Sequence, residues 1–227
     1  MRSLMLVYGL LAVMMAPAQT TGPPPATAGT TSLPPAVKKV FEYLTMAEAS
    51  TAAGFRPQSQ AERNRDFAKS LINPVWYLKG GFSAAIDQKN DKPTEWEQGA
   101  SGYGKRFGNI MGQYTIQRTI TFGVSSLLHE DNRYFGSGKK GFWRRTGYAL
   151  SSGILARHDN GLRYPSVSLI AGQASSAFLS RAWLPRSQNT AGDAAVSFGI
   201  TMGYNFLSCG IKEFLPDIVR PITKRRH

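Results

Sequence analysis

The sequence predicts an all-α fold: a compact helical bundle whose helices pack closely through glycine, serine and alanine. The first observation is the series Gly104, Gly108 and Gly112, whose spacing of four residues keeps small side chains on one helix face. Such faces let two helix backbones approach closely and are common where helices associate in lipid. The second observation is that two later segments repeat the spacing: Gly172, Ser176 and Ser180, then Ala195, Gly199 and Gly203. We expect these series to form an internal packing seam.

Residues 1–18 have the features of a secretory signal peptide. Arg2 supplies a positive charge, the stretch from Leu4 to Met15 is apolar, and Ala16-Pro17-Ala18 offers small residues for cleavage. The apolar stretch is too short for a spanning helix. We therefore expect export to the periplasm or outer membrane of a bacterial envelope. Residues 19–56, rich in Thr, Pro, Gly and Ala, predict a disordered linker that contains one short amphipathic helix.

The predicted helical domain covers residues 57–221 and begins with strong capping signals. Ser59 and Glu62 have the spacing of a capping box, which predicts a helix that ends near the Asn73-Pro74 pair. A second helix is predicted from residue 74 to 87. Thr94, with Glu97 three residues later, predicts the start of a third.

The rest of the domain is predicted from apolar spacing and from Gly and Pro. Apolar residues at steps of three and four predict a long helix over residues 104–128, followed by a glycine-rich loop over 129–141. A helix over 142–157 and a turn at Asn160-Gly161 follow. Two last helices, over 166–183 and 191–214, are expected to stop before Pro185 and Pro216. Residues 222–227 form a basic tail.

An alternative fold is an outer-membrane β-barrel. From Val196 to Phe206, apolar residues alternate with small or polar ones, which is typical of an outer-membrane strand. A barrel needs at least about eight strands of about ten residues. Residues 119–125 repeat the alternation only briefly, so the all-α fold is favoured.

The charge of the chain indicates an acidic partner. There are 27 Lys and Arg residues against 14 Asp and Glu residues, a net charge of +13. Behind a signal peptide, the expected partner is anionic lipid or an envelope polymer rather than nucleic acid. The candidate binding residues are Lys139, Lys140, Arg144 and Arg145. The small-residue faces also allow a homo-oligomer.

The densest group of reactive side chains is His129-Glu130-Asp131, followed by Arg133 and Tyr134. As a general base oriented by a carboxylate, His129 would indicate a hydrolase. Alternatively, His129 is a cation at a helix C-terminus and one of the two acids pairs with Arg133. No serine or cysteine nucleophile motif accompanies the group, so the second interpretation is favoured. Three histidines and one cysteine do not predict a zinc site, and no cofactor is expected.

Two segments resemble a family of exported bacterial proteins that has no assigned activity. They are E-W-x-Q-G-x-x-G-Y-G-x-R-F-G over residues 95–108 and H-E-D-x-R-Y-F over residues 129–135. The resemblance implies an envelope protein and brings no catalytic residues with it. The predicted function is that of an exported, membrane-associated helical envelope protein with a structural or interaction role.

Overall fold

A computed structural model describes residues 55–224 of the chain. The predicted signal peptide and all but the last two residues of the predicted linker lie outside the described residues. The α-helices are α1 (Gln60–Leu71), α2 (Pro74–Lys89), α3 (Gly99–Leu128), α4 (Phe142–Ser151), α5 (Val167–Leu179) and α6 (Ala191–Lys224). The strands β1 (Glu130–Asp131), β2 (Leu155–His158) and β3 (Arg163–Pro165) form one antiparallel sheet in that order. The all-α prediction is confirmed.

The barrel alternative is not supported, because residues 119–125 and 196–206 lie within α3 and α6. The start of α6 shows why the second segment is helical. Thr190 and Asp193 form a capping box, in which the backbone N–H of each donates to the side chain of the other at 3.1 Å. The alternation along α6 arises because its glycines and hydroxyl residues happen to separate its larger apolar side chains.

The first two helices begin where the sequence predicts them. At α1, the Ser59 N–H donates to Glu62 Oε2 at 2.8 Å and the Glu62 N–H donates to Ser59 Oγ at 3.3 Å. At α2, the side chain of Asn73 accepts a hydrogen bond from the Val75 N–H at 3.0 Å. These caps satisfy N–H groups that have no partner within the helix.

The predicted cap at Thr94 is wrong. Residues Thr94–Trp96 form a single 3-10 turn, and α3 begins at Gly99 rather than at Gly104. Glu97 has a positive φ of 55° and an extended ψ of −175°, so the backbone leaves the helical conformation directly after Trp96. The backbone carbonyl of Glu97 instead accepts a hydrogen bond from Arg106 at 2.7 Å.

Helix α3 is the central element, because α1, α2 and α5 all pack against it, while α6 packs against α4 and α5. The closest approach occurs at Gly172 on α5. A side chain there would collide with Thr121 and would lie 2.7 Å from the carbonyl oxygen of Gln117. Ser176, one turn further along α5, is also buried. Close packing through small residues is therefore a property of the α3–α5 contact.

The other small-residue series do not form the predicted internal seam. No described atom lies within 4 Å of where a Cβ would be on these four glycines: Gly104, Gly108, Gly199 and Gly203. All four are exposed. At Gly112 the nearest such atom, on Trp183, is 3.7 Å away. The series on α3 and α6 thus face outward, because the neighbouring helices pack on other faces.

The predicted helix over 142–157 ends at Ser151, and the chain then forms β2. The predicted turn at Asn160-Gly161 is present and joins β2 to β3. Gly161 has φ 79°, and the Asn160 side chain accepts a hydrogen bond from the Leu162 N–H at 2.9 Å. This tight turn brings β3 beside β2, which stops the helix from extending further.

Candidate functional site

His129 terminates α3 and has no nucleophile beside it. Its backbone is left-handed, with φ 56° and ψ 37°, a conformation typical of a helix C-terminus. The ring Nδ1 lies 3.0 Å from Asp159 Oδ2, and the side chain is 70% exposed. No described serine or cysteine side chain hydrogen-bonds to this ring. The geometry gives His129 a carboxylate partner but no hydrogen-bonded nucleophile, and its left-handed backbone supports a role in ending the helix.

Glu130 is buried and caps the start of α5. Its carboxylate accepts hydrogen bonds from the backbone N–H groups of Val167 at 3.0 Å and Ser168 at 2.9 Å. The Ser166 hydroxyl donates to the same carboxylate at 3.1 Å. A negative charge is favoured here because the N–H groups at a helix N-terminus point outward and carry partial positive charge. The hydrogen bonds of the Glu130 carboxylate therefore join the end of α3 to the start of α5.

Asp131 pairs with Arg133, as one of the two sequence alternatives expected. The buried Asp131 carboxylate accepts from Arg133 Nε at 3.0 Å and from Nη2 at 2.7 Å. The Arg133 guanidinium carbon lies 5.3 Å from the centre of the Phe135 ring. This arrangement fixes the chain as it leaves β1.

Arg63 connects α1 to the same region. Its buried guanidinium donates to the backbone carbonyls of Ser125 and Glu130, and it pairs with Asp159 at 3.3 Å. The segment His129-Glu130-Asp131 is therefore a junction that joins α1, α3, α5 and the sheet. The carboxylates of Glu130 and Asp131 both form hydrogen bonds within this junction.

A second buried network centres on Glu213 of α6. Its carboxylate accepts from the Tyr134 hydroxyl at 2.6 Å, from the Ser137 N–H at 3.1 Å and from Arg145 Nε at 2.9 Å. Burial, and then the hydrogen bond to Glu213, raise the pKa of Tyr134 above its usual range. The network attaches the loop after β1 and helix α4 to α6.

This network revises two sequence predictions. Arg145, predicted to bind an anionic surface, instead bonds to the carboxylates of Glu213 and Asp217. Lys139, Lys140 and Arg144 are exposed, as a surface role requires. Helix α6 also continues past Pro216. Arg145 bridges acids that lie one turn apart on either side of this proline and so holds the two parts of the helix together.

Arg106 explains the segment over residues 95–108. It is 1% exposed and donates to the carbonyls of Lys92, Pro93 and Glu97 at 2.7–2.9 Å. A side chain at Gly102 would lie 2.6 Å from the Trp96 carbonyl oxygen and 2.8 Å from Arg106 Nη1. The arginine and the glycine thus clamp the loop between α2 and α3.

The largest fully buried side chains in the described range are polar, whereas many large apolar side chains there are exposed. The fully buried large side chains are Arg106, Gln173, Glu130 and Asp131. More than twenty large apolar side chains are exposed, among them Trp143 at 81%, Ile72 at 76%, Leu78 at 70% and Phe82 at 60%. A water-soluble domain shows the opposite distribution and exposes few large apolar patches. The sequence patterns did not predict this surface.

The outer face of α6 is the longest part of this surface. Within Ala191–Phe214, an 18-residue stretch has a mean hydropathy of 1.2, and 11% of its residues are buried; among the described residues this is the one helix long and apolar enough, by length and composition, to cross a membrane. Its exposed apolar side chains recur at steps of three and four: Val196, Ile200, Tyr204, Leu207 and Ile211. At about 1.5 Å per residue, 24 residues extend about 36 Å, which is enough to span a hydrocarbon core of about 30 Å.

No group of three or more His, Cys, Asp and Glu residues that could hold a metal ion occurs among the described residues. A small cavity of about 30 Å³ lies between β2, α5 and α6, and Cys209 and Lys212 are among the residues that line it. It has room for about one water molecule.

No family model, no curated protein and no solved structure matches this chain. The resemblance to exported bacterial proteins therefore stays a prediction.

Proposed function

We propose that this protein is an exported, membrane-associated helical protein of the bacterial envelope, with a structural or interaction role. Its helical domain is embedded in lipid, and α6 crosses or deeply enters the bilayer. The observation that carries the proposal is the outward-facing apolar surface of α6, where 11% of the residues in an 18-residue apolar stretch are buried. The core helix of a soluble protein can be equally long and equally apolar, but most of its residues are buried.

The size of the exposed apolar surface supports a lipid environment. Fully burying one large apolar side chain is worth about 1.5–3 kcal/mol. At roughly half exposure, covering the exposed part of more than twenty such side chains with lipid would be favourable by on the order of 20 kcal/mol. Transfer of this surface from water into lipid is therefore strongly favoured.

The polar interior suits the same environment. In hydrocarbon, polar groups must find partners within the protein, because water is absent. The carboxylates of Glu130 and Glu213 and the guanidinium group of Arg106 each make several internal hydrogen bonds. Bonds of this kind can hold a domain together when hydrophobic burial between helices contributes little.

The region around α4 supports contact with anionic headgroups. Phe142 is 60% exposed and Trp143 is 81% exposed, and Lys140 and Arg144 flank them. Aromatic side chains are enriched at the boundary between lipid and water, and basic residues bind anionic headgroups there. This surface retains the basic residues that the sequence analysis proposed, without Arg145.

Fractionation of the native envelope tests the proposal. Membranes are washed with high salt and then with alkaline carbonate, and the protein is followed by immunoblotting. An embedded domain stays with the membranes through both washes. Release by salt would contradict embedding, because electrostatic attachment to a surface is screened by salt. A known peripheral protein and a known integral protein in the same sample control the washes.

A further inference from the structure

An open groove of about 520 Å³ runs along the outer face of α3. Its lining contains no charged residue and consists of Gly108, Asn109, Gly112, Thr115, Ile116 and Trp183. All of these except Trp183 lie between positions 108 and 116, so the groove extends about 12 Å along the helix. The groove therefore has the shape for a slender ligand that lies parallel to α3.

Two glycines form the floor of the groove and Trp183 forms its wall. No described atom lies within 4 Å of the place where Gly108 would carry a Cβ, and at Gly112 the nearest atom, on Trp183, is 3.7 Å away. Trp183 is 42% exposed, and its indole N–H donates to Asn109 Oδ1 at 2.9 Å. This hydrogen bond fixes the indole beside the floor, so the protein itself sets the shape of the groove.

The groove offers a mainly apolar surface. Its indole N–H is taken up by Asn109, and the Thr115 hydroxyl donates to the Met111 carbonyl on the same helix at 2.9 Å. With these two donors engaged inside the protein, the surface that remains consists mainly of the Trp183 ring, the Ile116 side chain and the two glycines. A hydrocarbon chain gains free energy by covering such a surface, whereas a polar ligand finds few partners there.

A cation lies on the same helix face as the groove. Lys105 precedes Asn109 by four residues and Gly112 by seven, and both steps keep side chains on one face. The Lys105 side chain is exposed and forms no ion pair or hydrogen bond with any residue in the described range 55–224. Its ammonium group is therefore free to bind an anionic group at the start of the groove.

The groove begins near the end of the domain at which α6 starts. The Ser187 hydroxyl donates to Glu95 Oε2 at 3.0 Å, which places the 3-10 turn Arg186–Gln188 beside the segment that leads into α3. Helix α6 starts at Ala191, three residues after this turn. Helices α3 and α6 thus begin at the same end of the domain. If α6 crosses the bilayer, the long side chain of Lys105 reaches the headgroups, and the groove extends from there into hydrocarbon.

A second copy of the chain fits the groove less well than a lipid does. Copies in one membrane share an orientation, so α3 helices related by a two-fold axis normal to the membrane would run parallel. The Lys105 side chains of both copies would then lie on the contact face, where like charges repel each other. An anionic lipid instead places a negative charge at this position.

We propose that this groove binds an anionic phospholipid, with one acyl chain along α3 against Trp183 and the phosphate on Lys105. The acyl chain covers apolar surface, and the phosphate neutralises a cation that has no partner in the described part of the chain. The inference rests on the proposed function, because the depth of Lys105 follows from α6 crossing the bilayer. It adds a defined lipid site to a surface that otherwise faces lipid in general.

Lipid binding to the whole chain in neutral detergent tests the site. Phosphatidylglycerol and phosphatidylcholine are added separately, and native mass spectrometry gives the fraction of protein with lipid bound. Gly108→Leu fills the groove without a clash at its Cβ and favours helix over glycine, so it should fold. We expect it to weaken phosphatidylglycerol binding by about tenfold, which corresponds to the lost burial of about two methylene groups. Lys105→Gln should weaken this binding by about fivefold. Gly199→Leu, at an equally open position on α6, is the matched control and should bind as the wild type does.

A preference for phosphatidylglycerol that falls in Gly108→Leu and Lys105→Gln, but not in Gly199→Leu, supports the site. Unchanged binding in Gly108→Leu, or equal binding of the two lipids by the wild type, overturns it. A dimer that is lost in Gly108→Leu while lipid binding stays the same overturns it in favour of a second copy. The washes of native membranes use the unaltered protein, so release by salt contradicts embedding whatever the variants bind, and loss of the groove site leaves resistance to the washes unchanged.

Discussion

The carboxylate of Glu130 accepts a hydrogen bond from the backbone N–H of Ser168 at 2.9 Å, and this contact joins the end of α3 to the start of α5. The two residues are 38 positions apart in sequence. A charged side chain thus caps a helix to which it does not belong. Buried polar links of this kind join helices that are distant in the sequence of the described domain.

Glu130→Gln is expected to destabilise the protein by about 1–3 kcal/mol, because it weakens a buried, charge-assisted cap. For a chain of this size the melting temperature should fall by about 2–4 °C for each kcal/mol. Thermal unfolding in mild detergent, followed by circular dichroism, measures the change. Glu97→Gln, the same exchange at an exposed side chain, serves as the control; a melting temperature for Glu130→Gln equal to that of the wild type would refute the capping role.

Exchanges at His129 separate its structural role from a catalytic one. Since the residue is left-handed, His129→Gly should be more stable than His129→Val by about 1 kcal/mol or more, because β-branched side chains strain this conformation. Thermal unfolding of the two variants gives the difference. Equal stability of the two would show that the backbone conformation has no importance. An ester-hydrolysis activity lost in His129→Gly with its stability intact would revive the hydrolase alternative.

Two glycines on facing helices should respond in opposite ways to alanine. Gly172→Ala is expected to destabilise by about 1–3 kcal/mol, since the added methyl group meets Thr121 and the Gln117 carbonyl. Gly108→Ala should stabilise by up to about 1 kcal/mol, because no described atom lies near and alanine favours helix. Melting temperatures of the pair in the same detergent provide the measurement. Destabilisation by both would restore the internal seam along α3.

The capping box of α1 predicts a pH dependence. The hydrogen bond from the Ser59 backbone, followed by the contact with Arg56, lowers the pKa of Glu62 from 4.5 to about 2. A carboxyl whose pKa is lowered on folding stabilises the folded state above its unfolded pKa. This contribution is lost as pH falls through the folded value. The wild type should therefore exceed Glu62→Gln in stability at pH 6, and the difference should disappear between about pH 4.5 and 2. A difference that does not change with pH would contradict this pairing.

Local signals in the sequence predicted the helices well. Ser59 with Glu62, Asn73 before Pro74, and Asn160-Gly161 act over a few residues, so their effects are visible without the fold. The rule that proline ends a helix failed at Pro216, where Arg145 on another helix bonds to acids on both sides of it. A long-range partner of this kind cannot be identified from local sequence.

The site was harder to predict because its parts are distant in sequence. Glu130 meets Ser168, and Glu213 meets Tyr134 79 positions away. The glycine spacing on α3 and α6 correctly placed each series on one face, but spacing cannot tell whether that face is covered. The exposed apolar surface could not be predicted from composition either. The mean hydropathy of the chain is only −0.25, because this average includes the polar residues as well as the exposed apolar ones.

The depth of α6 in the bilayer tests the central claim most directly. Spin labels are attached to Ile200→Cys and, as a loop control, to Asn189→Cys, each in a Cys209→Ser background reconstituted in lipid vesicles. Collisions with oxygen, which concentrates in hydrocarbon, are compared with collisions with a water-soluble nickel complex. If α6 lies in the bilayer, the label at position 200 is relaxed mainly by oxygen and the label at position 189 mainly by nickel. A label at position 200 that is relaxed mainly by nickel would contradict this placement.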